Sequence, residues 1–127
     1  MSQQFVVYVE DRPGALSRLT HELAVRGVDI HHIAAVGSGA MGYVILTVDR
    51  DDLARNALTT ARYRFHEGEA LMVAVEDRPG ALAEVTERLA ASGVNIHSMI
   101  VQGRRDGRVE LALTVDDLAA ARRTLGL

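Results

Sequence analysis

The sequence has no cysteine, no tryptophan, and only two phenylalanines and three tyrosines among 127 residues. Without thiols there is no disulfide framework, thiolate zinc site, redox motif or cysteine nucleophile. With so few rings there is little from which to build a base-stacking platform or an aromatic cage. A basic excess is missing too: 14 Lys and Arg face 17 Asp and Glu, a formal charge of -3, whereas nucleic-acid binding normally needs a basic patch. No apolar run approaches the roughly 18 residues that span a bilayer, and the opening Met-Ser-Gln-Gln has neither the basic start nor the apolar core of a signal peptide. A cytoplasmic protein is expected, with neither nucleic acid nor membrane as partner. What the chain does have is 48% hydrophobic residues, ample for a packed core.

It also repeats itself. Glu10-Asp11-Arg12-Pro13-Gly14-Ala15-Leu16 recurs letter for letter as Glu76-Asp77-Arg78-Pro79-Gly80-Ala81-Leu82, an offset of 66. At that offset Thr20, Leu23, Ala24, Gly27, Val28, Ile30 and His31 are matched as well, giving 14 identities in 22 positions. The expected organisation is therefore two copies of one unit, residues 1–68 and 69–127.

Within each copy the periodicities change in a fixed order. Phe5 to Val9 and Leu71 to Val75 are short, β-branched-rich runs that read as strands. Leu16, Leu19, Leu23 and Ala24, matched by Leu82, Val85, Leu89 and Ala90, carry helical spacing; Pro13 and Pro79 suit the first helical position, and Gly27 and Gly93 the C-terminal cap. Two strands follow, Val28 to Val36 and Met41 to Val48 around Gly37-Ser38-Gly39, then Val94 to Gln102 and Arg108 to Val115 around Asp106-Gly107. Acidic pairs, Asp51-Asp52 and Asp116-Asp117, open a second helix in each copy. Tyr63 to His66 supplies a fourth strand to the first copy. The order β-α-β-β-α-β predicts an α+β, ferredoxin-like fold with antiparallel sheets. In the second copy only Gly126 and Leu127 follow the last helix, so its fourth strand is expected to be missing or supplied by another chain. Arg108 to Val115 alternates as a strand with one wet face, whereas Val6, Val7, Val9 and Val44, Ile45, Leu46, Val48 are apolar on both parities. The outer face of the first sheet is thus expected to be covered, and a homodimer is the expected assembly.

The repeated loop joins a strand to a helix whose first N–H groups lack partners. Gly14 and Gly80 would leave the amides of Gly14, Ala15 and Leu16, and of Gly80, Ala81 and Leu82, open to a carboxylate. Asp11 and Asp77 stand ready to accept hydrogen bonds from an ammonium group. Donors for a carboxylate beside an acceptor for an ammonium describe a free α-amino acid. The alternative is a plain turn, with both aspartates merely capping their helices, and taken alone the loop favours it. Asp29 and His31, with Asn95 and His97 at the equivalent places, add polar groups at i, i+2 on the second strand. Taken singly, each histidine is read rather as a strand-edge residue satisfied by a neighbouring backbone group.

The succession of a strand, Asp-Arg-Pro-Gly-Ala-Leu, an amphipathic helix, Gly-Val-Asp-Ile or Gly-Val-Asn-Ile and a hairpin resembles the ACT domain, a small-molecule regulatory module of amino-acid metabolism. Met41-Gly42-Tyr43-Val44 is similar to the third strand of the serine-sensing ACT domain of phosphoglycerate dehydrogenase. The resemblance covers both halves. It implies amino-acid binding between two ACT domains, at the loop after the first strand of one and the start of the second strand of the other. It places Asp11 and Asp77 at the polar loop position, Gly14 and Gly80 where the ligand approaches, and Asp29 and Asn95 at the opening of the second strand, with Arg12, Pro13, Arg78 and Pro79 in the same loops. Serine is not implied, because Val9 and Val75 stand where serine sensors carry histidine, and aspartate replaces their loop asparagine. Asp29 against Asn95 makes the two sites unequal, the second copy being the more typical binder of a neutral amino acid. The resemblance thus implies a free-standing tandem ACT protein whose ligand changes the domain arrangement allosterically and so acts on a regulated enzyme or other protein.

Other functions are weighed on the same residues. Glu10-Asp11 and Glu76-Asp77 bring no nucleophile, base and orienting group together, so no enzymatic activity and no cofactor are expected. A metal sensor would use His31-His32 with His66 or His97, yet adjacent strand residues point to opposite faces and Ser98 replaces His32 in the second copy. A ligand-free dimerisation module is the remaining alternative.

Overall fold

Phe5 and Val7 are fully buried on one face of the first strand, β1 (Gln3–Glu10), and Val9 packs against the same cluster. The helix that follows, α1 (Ala15–Val25), lays Leu19 and Leu23 onto them. It ends where Gly27 adopts φ 75° and the Val28 N–H returns to the Leu23 carbonyl at 3.0 Å. A hairpin, β2 (Ile30–Gly37) and β3 (Met41–Val48), leads to α2 (Asp51–Thr60), with Asp51 and Asp52 in its first turn, and then to β4 (Arg64–Glu69). The sheet order is β2-β3-β1-β4, with β3 antiparallel to both β1 and β2. Val44 and Leu46 of β3 and Ala54, Ala57 and Leu58 of α2 complete the core between the sheet and its two helices. Burying each of the Phe, Val and Leu side chains of this core is worth about 1.5–3 kcal/mol.

The second unit repeats this with β5 (Leu71–Glu76), α3 (Ala81–Ala91), β6 (Ile96–Arg105), β7 (Arg108–Val115) and α4 (Leu118–Leu125). Its sheet has three strands in the order β5-β7-β6, and Leu71, Val73, Leu89, Leu111, Leu113 and Ala121 form the core. Asp106 (φ 54°) and Gly107 (φ 73°) turn the β6–β7 hairpin in the doubly left-handed form that matches strand twist. The computed structural model describes residues 3–127, and by packing they form two compact units, one ending at Gly68 and the other spanning Glu69–Leu127. The chain is therefore α+β with two ferredoxin-like units and antiparallel strand pairs. The described part of the second unit has no counterpart of β4. Among the described residues no helix is long and apolar enough to cross a membrane.

Two expectations need correction. Pro13 and Pro79 do not begin their helices: Gly14 and Gly80 are the N-cap residues, at φ 86° and 88°, and the prolines lie one residue earlier in a tight turn. The left-handed cap needs glycine, which displaces proline from the first helical position. The outer face of β7 is not wet either. Ala112 and Thr114 are buried there, as are Ser98 and Ile100 of β6, and the Ser98 and Thr114 hydroxyls hydrogen-bond to each other. The hydroxyl pair lets two polar residues lie buried on that face with a hydrogen bond between them.

Candidate functional site

Each repeated loop is fastened to the hairpin of its own unit. The Asp11 N–H donates to the Ala40 carbonyl at 3.2 Å, and the Asp77 N–H to the Gly107 carbonyl at 2.8 Å. The left-handed Gly14 and Gly80 then turn the chain into its helix. At Gly14 a Cβ would meet nothing within 4 Å, so the demand for glycine there is one of backbone conformation alone.

The amides expected to face a ligand are not all available. Ala15 N–H donates to the Arg12 carbonyl at 3.2 Å, and Ala81 N–H to the Arg78 carbonyl at 3.3 Å. Gly14 and Leu16, like Gly80 and Leu82, retain amides that donate to no other group among the described residues. Neither helix has a side-chain N-cap, so Asp11 and Asp77 do not cap, and the plain-turn reading loses that role for them.

The two aspartates are held differently. Asp11 Oδ2 accepts from the Gly39 N–H at 2.8 Å, whereas Asp77 Oδ2 lies 3.4 Å from Arg104 Nε. Arg12 pairs with Glu10. Arg78 pairs with Glu76 at 2.6 Å and reaches both oxygens of Glu84 at 3.1 Å. The Arg78 hydrogen bond draws the Glu76 carboxyl below the usual carboxylate range, and Glu76 in turn raises the Arg78 guanidinium.

In the first unit a pocket of about 170 Å³ opens beside this loop, bounded by Asp11, Leu16, Val36, Gly37, Gly42 and Tyr43. The hairpin glycines Gly37, Gly39 and Gly42 were not among the sequence candidates. The signal was their clustering around Ser38, which reads equally well as an ordinary turn.

The strand-opening residues lie elsewhere. Glu10 pairs with Met41 across the β1–β3 ladder, while Ile30 pairs with Val48, so Asp11 and Asp29 sit at opposite ends of one sheet. Eight strand residues at roughly 3.3 Å each separate them by roughly 20 Å or more. Asp29 N–H donates to Asp49 and Asn95 N–H to Asp116, each at 2.9 Å. The ladder skips from Ile30 to His32, and from Ile96 to Ser98, which makes His31 and His97 the extra residues of β-bulges. Bulging turns the exposed His31 so that its Nε2 lies 3.7 Å from Asp29 Oδ2. His32 is bonded through Nδ1 to Thr47 at 2.7 Å, and His66 stacks edge-on against Tyr8. No group of three metal-ligating side chains gathers among the described residues.

The ACT domain profile matches residues 4–62 and again residues 70–123. The chain belongs to the ACT domain family. As a tandem ACT protein it is similar to a structure of a Bacteroides thetaiotaomicron protein, at a TM-score of 0.79 and 21% identity, covering 98% of this chain and 86% of that one. The ligand-free regulatory subunit of aspartate kinase from Thermus thermophilus matches at a TM-score of 0.66 and 19% identity, covering 98% of this chain and 91% of that one. At these identities the likeness is one of fold. No curated protein matches in sequence. Membership of the ACT family supports a regulatory, ligand-binding role.

Proposed function

We propose that this tandem ACT protein is a regulatory sensor of a free amino acid, bound at the loop after the first strand of one ACT unit together with the strand-opening residues of another. The reading is carried by the repeated loop. A left-handed glycine leaves two amides without partners beside an aspartate carboxylate, which is a donor set for a ligand carboxylate next to an acceptor for an ammonium. In the second unit Asp77 and Arg104 place both signs of charge at the loop, and Asn95 is neutral where the first unit has Asp29. A neutral amino acid suits that set. Regulation follows by linkage: a ligand that binds one arrangement of ACT units more tightly shifts the population toward it and alters contact with a regulated enzyme or other protein. The active assembly is a homodimer in a cytoplasmic setting.

A thermal-shift screen of the full chain against the twenty amino acids tests this. At least one is expected to raise the melting temperature at millimolar concentration, and Asp77→Ala and Gly80→Val are each expected to abolish the shift while circular dichroism stays native. A flat response to all twenty overturns the reading; a shift that persists in both variants moves the site away from this loop.

A further inference from the structure

The first unit carries a second pocket, of about 360 Å³, on the other side of the same loop, and its walls hold four arginines, Arg12, Arg18, Arg62 and Arg64. The one carboxylate on those walls, Glu10, is paired with Arg12. No carboxylate lies within ion-pair distance of Arg18, Arg62 or Arg64 among the described residues. Two of these cations rest on aromatic rings: Arg64 Cζ stands 4.7 Å from the Tyr8 ring centroid and Arg18 Cζ 5.3 Å from that of Tyr63. In a chain of net charge -3 this concentration of positive charge is local, not a reflection of composition.

The duplicate shows that the fold does not require it. At the offset of 66, Arg18 becomes Glu84, which binds Arg78, and Tyr8 becomes Ala74. Arg62 ends α2 in the left-handed region at φ 64°, with the next N–H, that of Tyr63, bonded back to Leu58. Gly126 holds the same place after α4 at φ 72°, with Leu127 bonded back to Arg122. Where the second unit uses the residue suited to that conformation, the first keeps an arginine at a conformational cost. It thereby adds one more arginine to the pocket lining.

We infer that this pocket binds a phosphate-bearing small molecule, held by Arg18, Arg62 and Arg64. Guanidinium groups bind tetrahedral phosphate oxygens in forked pairs, and three of them lining one pocket suit an anion of more than one charge. The pocket shares Arg12, Pro13, Gly14 and Ala15 with the loop proposed for the amino acid but not Asp11, the ammonium acceptor of that reading, and the amino-acid site in turn has none of Arg18, Arg62 and Arg64.

Calorimetric titration of the full chain with pyrophosphate and with ADP, at ionic strength held constant with potassium chloride, tests the inference. Both are expected to bind the wild type, and Arg62→Gly and Arg64→Gln are each expected to weaken binding by about tenfold or more. Arg62→Gly should not lower the melting temperature, so its loss of binding is not a loss of fold. Arg78→Gln, which removes an ion-paired arginine from the second unit, should leave the affinity unchanged, and so should Asp11→Ala, which separates this site from the amino-acid site. The inference is overturned if neither probe binds above the salt control, if both pocket variants bind like the wild type, or if citrate binds as tightly as pyrophosphate.

Discussion

The carboxylate of Asp11 occupies the space that a side chain at Gly37 would need: a Cβ built there falls 2.4 Å from Oδ2 and 2.5 Å from Cγ. The loop after β1 and the end of β2 are thereby locked together, with Oδ2 held by the Gly39 N–H at 2.8 Å. Gly37→Ala would push the carboxylate off that amide. The expected cost is about 1 kcal/mol, the net worth of an exposed hydrogen bond. Asp11→Ala should cost a similar amount, and the double variant scarcely more than either alone, leaving a coupling of about 1 kcal/mol. Urea denaturation of the four proteins measures this, and additive losses would show that the contact contributes nothing.

Gly14 and Gly80 make a matched pair. Both open a helix in the left-handed region, and around neither does a Cβ meet backbone, the nearest atom being Arg78 Nη1 at 3.8 Å from Gly80. Gly14→Ala and Gly80→Ala should therefore each destabilise their unit by about 1–2 kcal/mol, the cost of holding an L residue in that conformation. Equal shifts in denaturant midpoint are expected; a shift in one alone would mean that strain is relieved differently in the two copies.

The duplication made most of this fold legible in advance. Two imperfect periodicities that agree at a constant offset are stronger than one, and β3 and β7 run from Met41 to Val48 and from Arg108 to Val115 as the patterns predict. Bulges at His31 and His97 were not legible, since an extra residue in a ladder leaves no mark in apolar spacing. The partners of Asp11 were hidden for a related reason. Gly39 lies 28 residues away and contributes only a backbone N–H, so no side-chain pattern announces it. The arginine pocket escaped because its members come from the start of α1, the end of α2 and β4, which only the folded unit brings together.

Acid sensitivity should appear at the Glu76–Arg78–Glu84 cluster. The Arg78 hydrogen bond lowers the Glu76 carboxyl from its ordinary 4.5, so the folded state holds that proton less tightly than the unfolded state does. The stabilisation is therefore complete above pH 4.5 and is lost as the pH falls through the depressed folded value. Glu76→Gln should lower the melting temperature by a small, constant amount at neutral pH, and the difference from wild type should shrink to nothing in strong acid. A difference that grows on acidification would reverse the sign and exclude the ion pair as its source.

Arg62 and Gly126 allow the energetic cost of the arginine pocket to be measured separately from its ligand. Both residues end a helix with positive φ, and a Cβ at Gly126 would meet nothing within 4 Å, so the difference between them is conformational. Arg62→Gly should stabilise the first unit by about 1 kcal/mol, and Gly126→Arg should destabilise the second by about the same. The Gly126→Arg protein should gain no anion affinity, because Ala74 and Glu84 stand where the first unit has Tyr8 and Arg18. Thermal unfolding with and without pyrophosphate separates the two effects. If Arg62→Gly proves less stable than wild type in the absence of any anion, Arg62 is holding the α2–β4 turn, and its retention is a matter of folding instead of binding.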